Sequence, residues 1–163
     1  MSAIDDLAAA AARYAAGFDK GDLPAPPARR VAVVTCMDAR ILTSRLLGLE
    51  EGDAHVIRNA GGRVQDALRS LVVSQRLLGT NEVMVIHHSG CGMRGLTDDA
   101  VRSAVREDLG ADDGGLAYLG FDDVEQSVRD DVAFLRDSPL IDPGAVIRGF
   151  VYDEKTGRLT DVA

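Results

Sequence analysis

Cys36, Asp38 and Arg40 directly follow an apolar run, Val31 to Val34, and a second run, Val83 to Ile86, leads into His87, His88 and Cys91. Thiolate and neutral imidazole are donors that zinc prefers. Three such ligands with a fourth position free are the composition of a catalytic zinc site. A lone cysteine at a strand end is usually a small buried hydrophobe. Here both cysteines of the chain and a histidine fall at the ends of two apolar runs, so metal binding is the stronger reading. Neighbouring side chains of an extended segment point to opposite sides, so only one of the two adjacent histidines faces a given site. His88 is the candidate, because Ser89 and Gly90 can turn the chain and bring Cys91 back beside it. His87 and His55 are read as interior histidines. Arg40 offers Asp38 a bidentate partner. Held back in this way, Asp38 can accept a hydrogen bond from the nucleophile on the metal. Released, it could take the fourth position and close the site. A simple structural ion pair is the alternative.

These residues share one site only if the two apolar runs are neighbouring parallel strands. Val31 to Val34 is apolar in succession rather than alternating, which suits a strand buried on both faces. Such sheets place their ligand crevices at the carboxyl ends of the strands. Between the runs the sequence predicts a short helix near Leu42 to Leu47, a strand over Ala54 to Arg58, and a helix from about Val64 to Leu78 ending at Gly79. Val64, Leu68, Leu71, Val72 and Leu78 should face inward. Asn59, Ala60, Gly61 and Gly62 form a turn where missing side chains let the backbone approach a site. Thr97 opens a further helix, and Asp122 with Glu125 resembles a capping box for a helix to about Asp137. A strand over Ala145 to Tyr152, a turn over Asp153 to Gly157 and a short return strand from Leu159 to Val162 complete the chain. The expected fold is α/β, with a mainly parallel central sheet of four to five strands flanked by helices.

The 163 residues are read as a single domain, residues 1–163, with an N-terminal helical arm and linker over 1–27 and an α/β core over 28–163. Ile4, Leu7, Ala8, Ala11, Tyr14, Ala15 and Phe18 recur at helical spacing, and this apolar face is expected to pack on a partner subunit. A net charge of −8 without a basic stripe excludes nucleic acid as the expected partner. Acidic residues and Arg13 interrupt the early Ala-rich run, so no signal peptide or membrane span is read there. A cytoplasmic location is expected, and two cysteines suit metal or thiol chemistry better than a structural disulfide.

Cys36-x-Asp38-x-Arg40 followed by His88-x-x-Cys91-Gly92, with Arg58-Asn59-Ala60-Gly61-Gly62 between them, resembles the β-class carbonic anhydrases, in particular their short bacterial members. The resemblance runs from the N-terminal helix to the last strand. It implies one Zn²⁺ per chain on Cys36, His88 and Cys91, an Asp38–Arg40 dyad, and a homodimer or homotetramer in which the N-terminal helix embraces its partner. It also implies a lyase activity, the reversible hydration of carbon dioxide to bicarbonate and a proton by attack of zinc-bound hydroxide. Ala60, Gly61, Gly62 and Gly92 are the candidate substrate pocket. The chain has no Trp, so the tryptophan-lined bicarbonate pocket that regulates some members is not expected in that form. Two thiolates donate more charge to zinc than histidines would, so activity is expected to rise with pH. Carbonyl sulfide or carbon disulfide hydrolysis on the same zinc site is the alternative function. A structural-zinc interaction module and a metal-free thiol enzyme are further readings.

Overall fold

The computed structural model describes residues 2–163. In chain order the elements are α1 (Ala3–Ala15), β1 (Val31–Cys36), α2 (Thr43–Leu47), β2 (Ala54–Asn59), a 3-10 turn (Ala60–Gly62), α3 (Val64–Leu78), β3 (Glu82–His88), α4 (Asp98–Leu109), α5 (Val124–Asp137), β4 (Val146–Tyr152) and β5 (Leu159–Asp161). The five strands form one sheet in the order β2-β1-β3-β4-β5. β2, β1, β3 and β4 run parallel, and β5 returns antiparallel to β4. No helix among the described residues is long and apolar enough to cross a membrane.

The apolar runs become the inner strands because both of their faces are covered. Ala32 and Val34 of β1, Val83 and Val85 of β3 and Ile147 of β4 form one packed cluster with Val64, Ala67 and Leu71 of α3 and Val128, Val132 and Leu135 of α5. Val33 and Ile86 are buried as well. β1 and β3 are direct parallel neighbours, with Thr35 opposite Ile86. Their carboxyl ends therefore reach the same edge of the sheet, as the motif placement requires.

Two local expectations shift. Asp123, not Asp122, caps α5, its carboxylate accepting the Gln126 N–H at 2.8 Å. β3 also extends through both histidines instead of stopping at Ile86, because β4 pairs with it as far as His87 opposite Val151 and His88 opposite Tyr152. The two histidines then leave the strand on opposite sides. His87 is fully buried, with Nδ1 2.7 Å from Ser127 Oγ and Nε2 3.3 Å from the Asp131 carboxylate. Arg63 bonds the same carboxylate through Nε and Nη2, and the Val64 N–H adds a further bond at 3.0 Å. This buried cluster ties the start of α3 to the middle of α5. Burial disfavours the charged form of Asp131, but His87 and Arg63 outweigh it and hold the carboxyl below its ordinary range.

Gly62 fixes the turn against the two central strands. It has φ +72°, and a Cβ there would lie 2.8 Å from both the Cys36 nitrogen and the Thr35 carbonyl carbon. The Gly62→Ala variant combines a left-handed backbone with a clash against backbone atoms. The expected loss is about 2–4 kcal/mol of stability, read as a lower urea midpoint at unchanged slope.

Candidate metal centre

The loop after β1 is built to hold Asp38 and Arg40 in one arrangement. Met37 N–H bonds the Asn59 carbonyl at 2.8 Å, and Ile41 N–H closes a turn on the Asp38 carbonyl at 3.0 Å. Arg58, from the end of β2, donates Nε to the Cys36 carbonyl at 3.0 Å and Nη2 to the Asp38 carbonyl at 2.7 Å. Across the sheet edge, β3 delivers His88, and the Ser89-Gly90 turn returns Cys91.

Cys36, His88 and Cys91 are all buried, and one ligand atom from each lies within 4.8 Å of the other two. The two sulfurs are 3.9 Å apart. Two sulfurs each about 2.3 Å from a tetrahedral zinc would stand about 3.8 Å apart, so the spacing fits that ion. Neither ring nitrogen of His88 has a hydrogen-bond partner although the side chain is fully buried. A buried imidazole in that state is costly unless something else takes its lone pair, and a cation does so.

The electrostatics favour a positive ion. The hydrogen bond between the two sulfurs is the largest influence on Cys36 and draws its thiol down; burial opposes it, and His88 and the Asp38 and Gly61 N–H groups assist. The same bond, with burial, pushes Cys91 up. The two sulfurs compete for one proton, and a dication is what allows both thiols to ionise. The Met93 N–H, 3.5 Å from Cys91 Sγ, waits for the second thiolate. Burial disfavours a charged His88, but Cys36, Asp38 and Glu154 outweigh it and the net shift is upward.

Asp38 is bound by Arg40. Arg40 gives it two bonds at 2.9 Å to Oδ1, from the backbone N–H and Nε, and one at 2.7 Å from Nη2 to Oδ2. Nη2 also donates to the Gly90 carbonyl at 2.9 Å, which anchors the arginine to the second loop. These bonds hold the Asp38 carboxyl far below the usual carboxylate range. Its Oδ2 lies 3.8 Å from His88 Nε2, beside the donors but turned to the arginine.

The family model for carbonic anhydrases matches residues 31–112. The chain is 43% identical to β-carbonic anhydrase 1 of Mycobacterium tuberculosis over 163 residues, covering 99% of each. The chain belongs to the β-class carbonic anhydrases. The crystal structure of a carbonic anhydrase from Streptococcus mutans superposes with a TM-score of 0.93 at 44% identity, covering 100% of this chain and 99% of that one. A carbon disulfide hydrolase from Acidithiobacillus thiooxidans is 34% identical, with 82% of this chain and 77% of that protein covered. The Cys36-His88-Cys91 cluster is consistent with one zinc per chain, as in this family.

Of the remaining candidate positions, Gly61 and Gly62 lie against the centre. A Cβ on Gly61 would meet Met93 and Arg63. Ala60 instead borders a surface cleft with Gln65, Asp66 and Tyr118, and open space adjoins Gly92. One charged residue beside the centre was not singled out by its sequence. Glu154, in the turn between β4 and β5, has a side chain only 4% exposed, with Oε2 3.6 Å from His88 Nδ1. Read along the chain it is one polar residue in a polar turn, and only the pairing of β4 with β3 brings it here.

Proposed function

We propose that the chain catalyses the reversible hydration of carbon dioxide to bicarbonate and a proton, with Cys36, His88 and Cys91 as the zinc ligands. The observation that carries this reading is the combination of three buried donors with a neighbouring carboxylate whose two oxygens are both bonded by Arg40. Zinc in such a site supplies a Lewis acid that makes water a nucleophile near neutral pH. Asp38, fixed by Arg40, would accept a hydrogen bond from the attacking water and so decide which lone pair faces the substrate. Arg40 fixes Asp38 through a bidentate contact, and Gly90 fixes Arg40. Gly61 and Gly62, which lie against the centre while Ala60 opens to a separate cleft, are the proposed seat of the small uncharged substrate, and the open space beside Gly92 leaves room for the developing anion.

The 34% identity to a carbon disulfide hydrolase supports a second reading on the same centre. Parallel assays on one zinc-loaded preparation separate the two. Carbon dioxide hydration without sulfide release from carbon disulfide or carbonyl sulfide supports the hydratase. Sulfide release without hydration supports the alternative.

The working unit is a homodimer or a dimer of dimers. α1 starts with a Ser2–Asp5 capping box yet buries none of its residues on its own chain. Ile4 and Leu7 are 77% and 70% exposed, and Tyr14 and Phe18 remain about half exposed. Tyr14 and Lys20 bond Glu51, so the base of the arm is anchored while its apolar face is left open. Fully burying a side chain such as Ile4 or Leu7 gains up to about 1.5–3 kcal/mol and the half-exposed rings gain less, a combined apolar gain that favours a partner subunit. Deleting residues 2–18 is expected to convert the assembly to a smaller species in sedimentation velocity. A truncated chain that keeps the full-length association state would contradict the subunit contact.

A further inference from the structure

We propose that Glu154 is a positioning residue for the metal centre, its carboxylate holding the His88 ring by Nδ1 so that Nε2 is presented to the zinc. The two ring nitrogens face opposite neighbours: Nε2 lies 3.8 Å from Asp38 Oδ2, on the side of the dyad, and Nδ1 lies 3.6 Å from Glu154 Oε2. An imidazole that gives one nitrogen to a metal carries its proton on the other, and a carboxylate facing that proton fixes both tautomer and ring orientation.

The carboxylate sits in a niche shaped for it. Ser89 Oγ donates to Oε2 at 2.8 Å, and the Gly90 N–H donates to the same oxygen at 3.1 Å. Arg40 Nη1 stands 3.8 Å from Oε1. A Cβ on residue 90 would come within 2.0 Å of Oε1, so the room for Glu154 depends on glycine there. A buried charge is costly unless paired, and these donors compensate it, with Oε2 still 3.6 Å from His88 Nδ1. His88 in turn has no bonded partner of its own. That requirement is met once Nε2 is drawn to the metal and the Nδ1 proton is held toward the carboxylate. Glu154 also touches the dyad through Arg40, so one carboxylate braces the histidine ligand and the arginine that restrains Asp38.

The proposal rests on His88 being a zinc ligand, and its test separates the two claims. Zinc affinity is measured by competition with a chromophoric chelator for wild type, Glu154→Gln and Glu154→Ala, and the His88 Nδ1–H is followed by ¹⁵N-edited NMR on the zinc-loaded proteins. The expected result is a slowly exchanging Nδ1–H in wild type. In Glu154→Ala, affinity falls about 10- to 100-fold and that proton is lost to exchange. Glu154→Gln keeps an oxygen acceptor without the charge, so it should fall between the two and retain a shifted signal. Affinities within about twofold of wild type in both variants would overturn the proposal. So would weakened binding with the Nδ1–H signal unchanged, which is the result of a purely structural latch between the two turns. A wild type whose zinc does not contact His88, seen as an unshifted ring on metal loading, overturns the ligand reading and the proposal with it.

Discussion

Asp38→Ala is expected to lower kcat/KM for carbon dioxide hydration by about 10²-fold or more while the protein keeps its zinc. Misplacing a nucleophile by about 1 Å can cost that much, and Asp38 is the side chain proposed to orient it. The variant removes no donor from the Cys36-His88-Cys91 cluster, so metal content and rate should separate. The deficit should also be independent of pH between 6 and 9. Arg40 holds the Asp38 carboxyl far below its ordinary range, so the group stays ionised throughout that interval. Any stability from the pair is present above the ordinary carboxylate pKa of about 3.9 and is lost only as pH falls through the lowered value. Stopped-flow rates on zinc-quantified wild type and variant at several pH values check this. An Asp38→Ala enzyme with unaltered kcat/KM would reduce the dyad to an ion pair.

Cys91→Ser has the second large expected effect, and it acts one step earlier. Serine keeps the shape but supplies a hydroxyl that does not ionise near neutral pH, where the site needs a thiolate. Structural zinc sites with four ligands bind with about 10–16 kcal/mol, so losing one thiolate removes on the order of 3 kcal/mol, above 10²-fold in affinity. After dialysis against a weak chelator the variant should carry little zinc and show no hydration above buffer, while elemental analysis finds about one zinc per wild-type chain. Full zinc retention by Cys91→Ser would remove Cys91 from the ligand set.

Much of this arrangement was legible in the sequence because the central strands are buried on both faces. A run such as Val31 to Val34 then marks a strand without help from its partners, and Cys36 at its end marks the sheet edge. The alternation of side chains along an extended segment left only one of the two histidines for the site, and the Ser89-Gly90 turn to Cys91 selected His88. Features set by contacts between distant segments were not legible. β3 continues through both histidines only because β4 pairs beside them, and Glu154 reaches His88 for the same reason. Asp131 is a different kind of omission. It lies at helical spacing with Val128, Val132 and Leu135, but the sequence reading passed over it, because a carboxylate on an apolar face does not announce its partner. That partner, Arg63, is 68 residues away. The arm α1 was readable as an amphipathic helix, and its bare apolar face in the folded chain is what directs attention to a second subunit.

The most direct measurement is stopped-flow hydration of carbon dioxide at pH 8.5 on wild-type protein carrying one zinc per chain. Catalysis well above buffer, abolished by removing the zinc and restored by returning it, is the predicted result. A fully zinc-loaded protein that leaves the rate at the buffer value would contradict the assignment of this centre as a carbon dioxide hydratase.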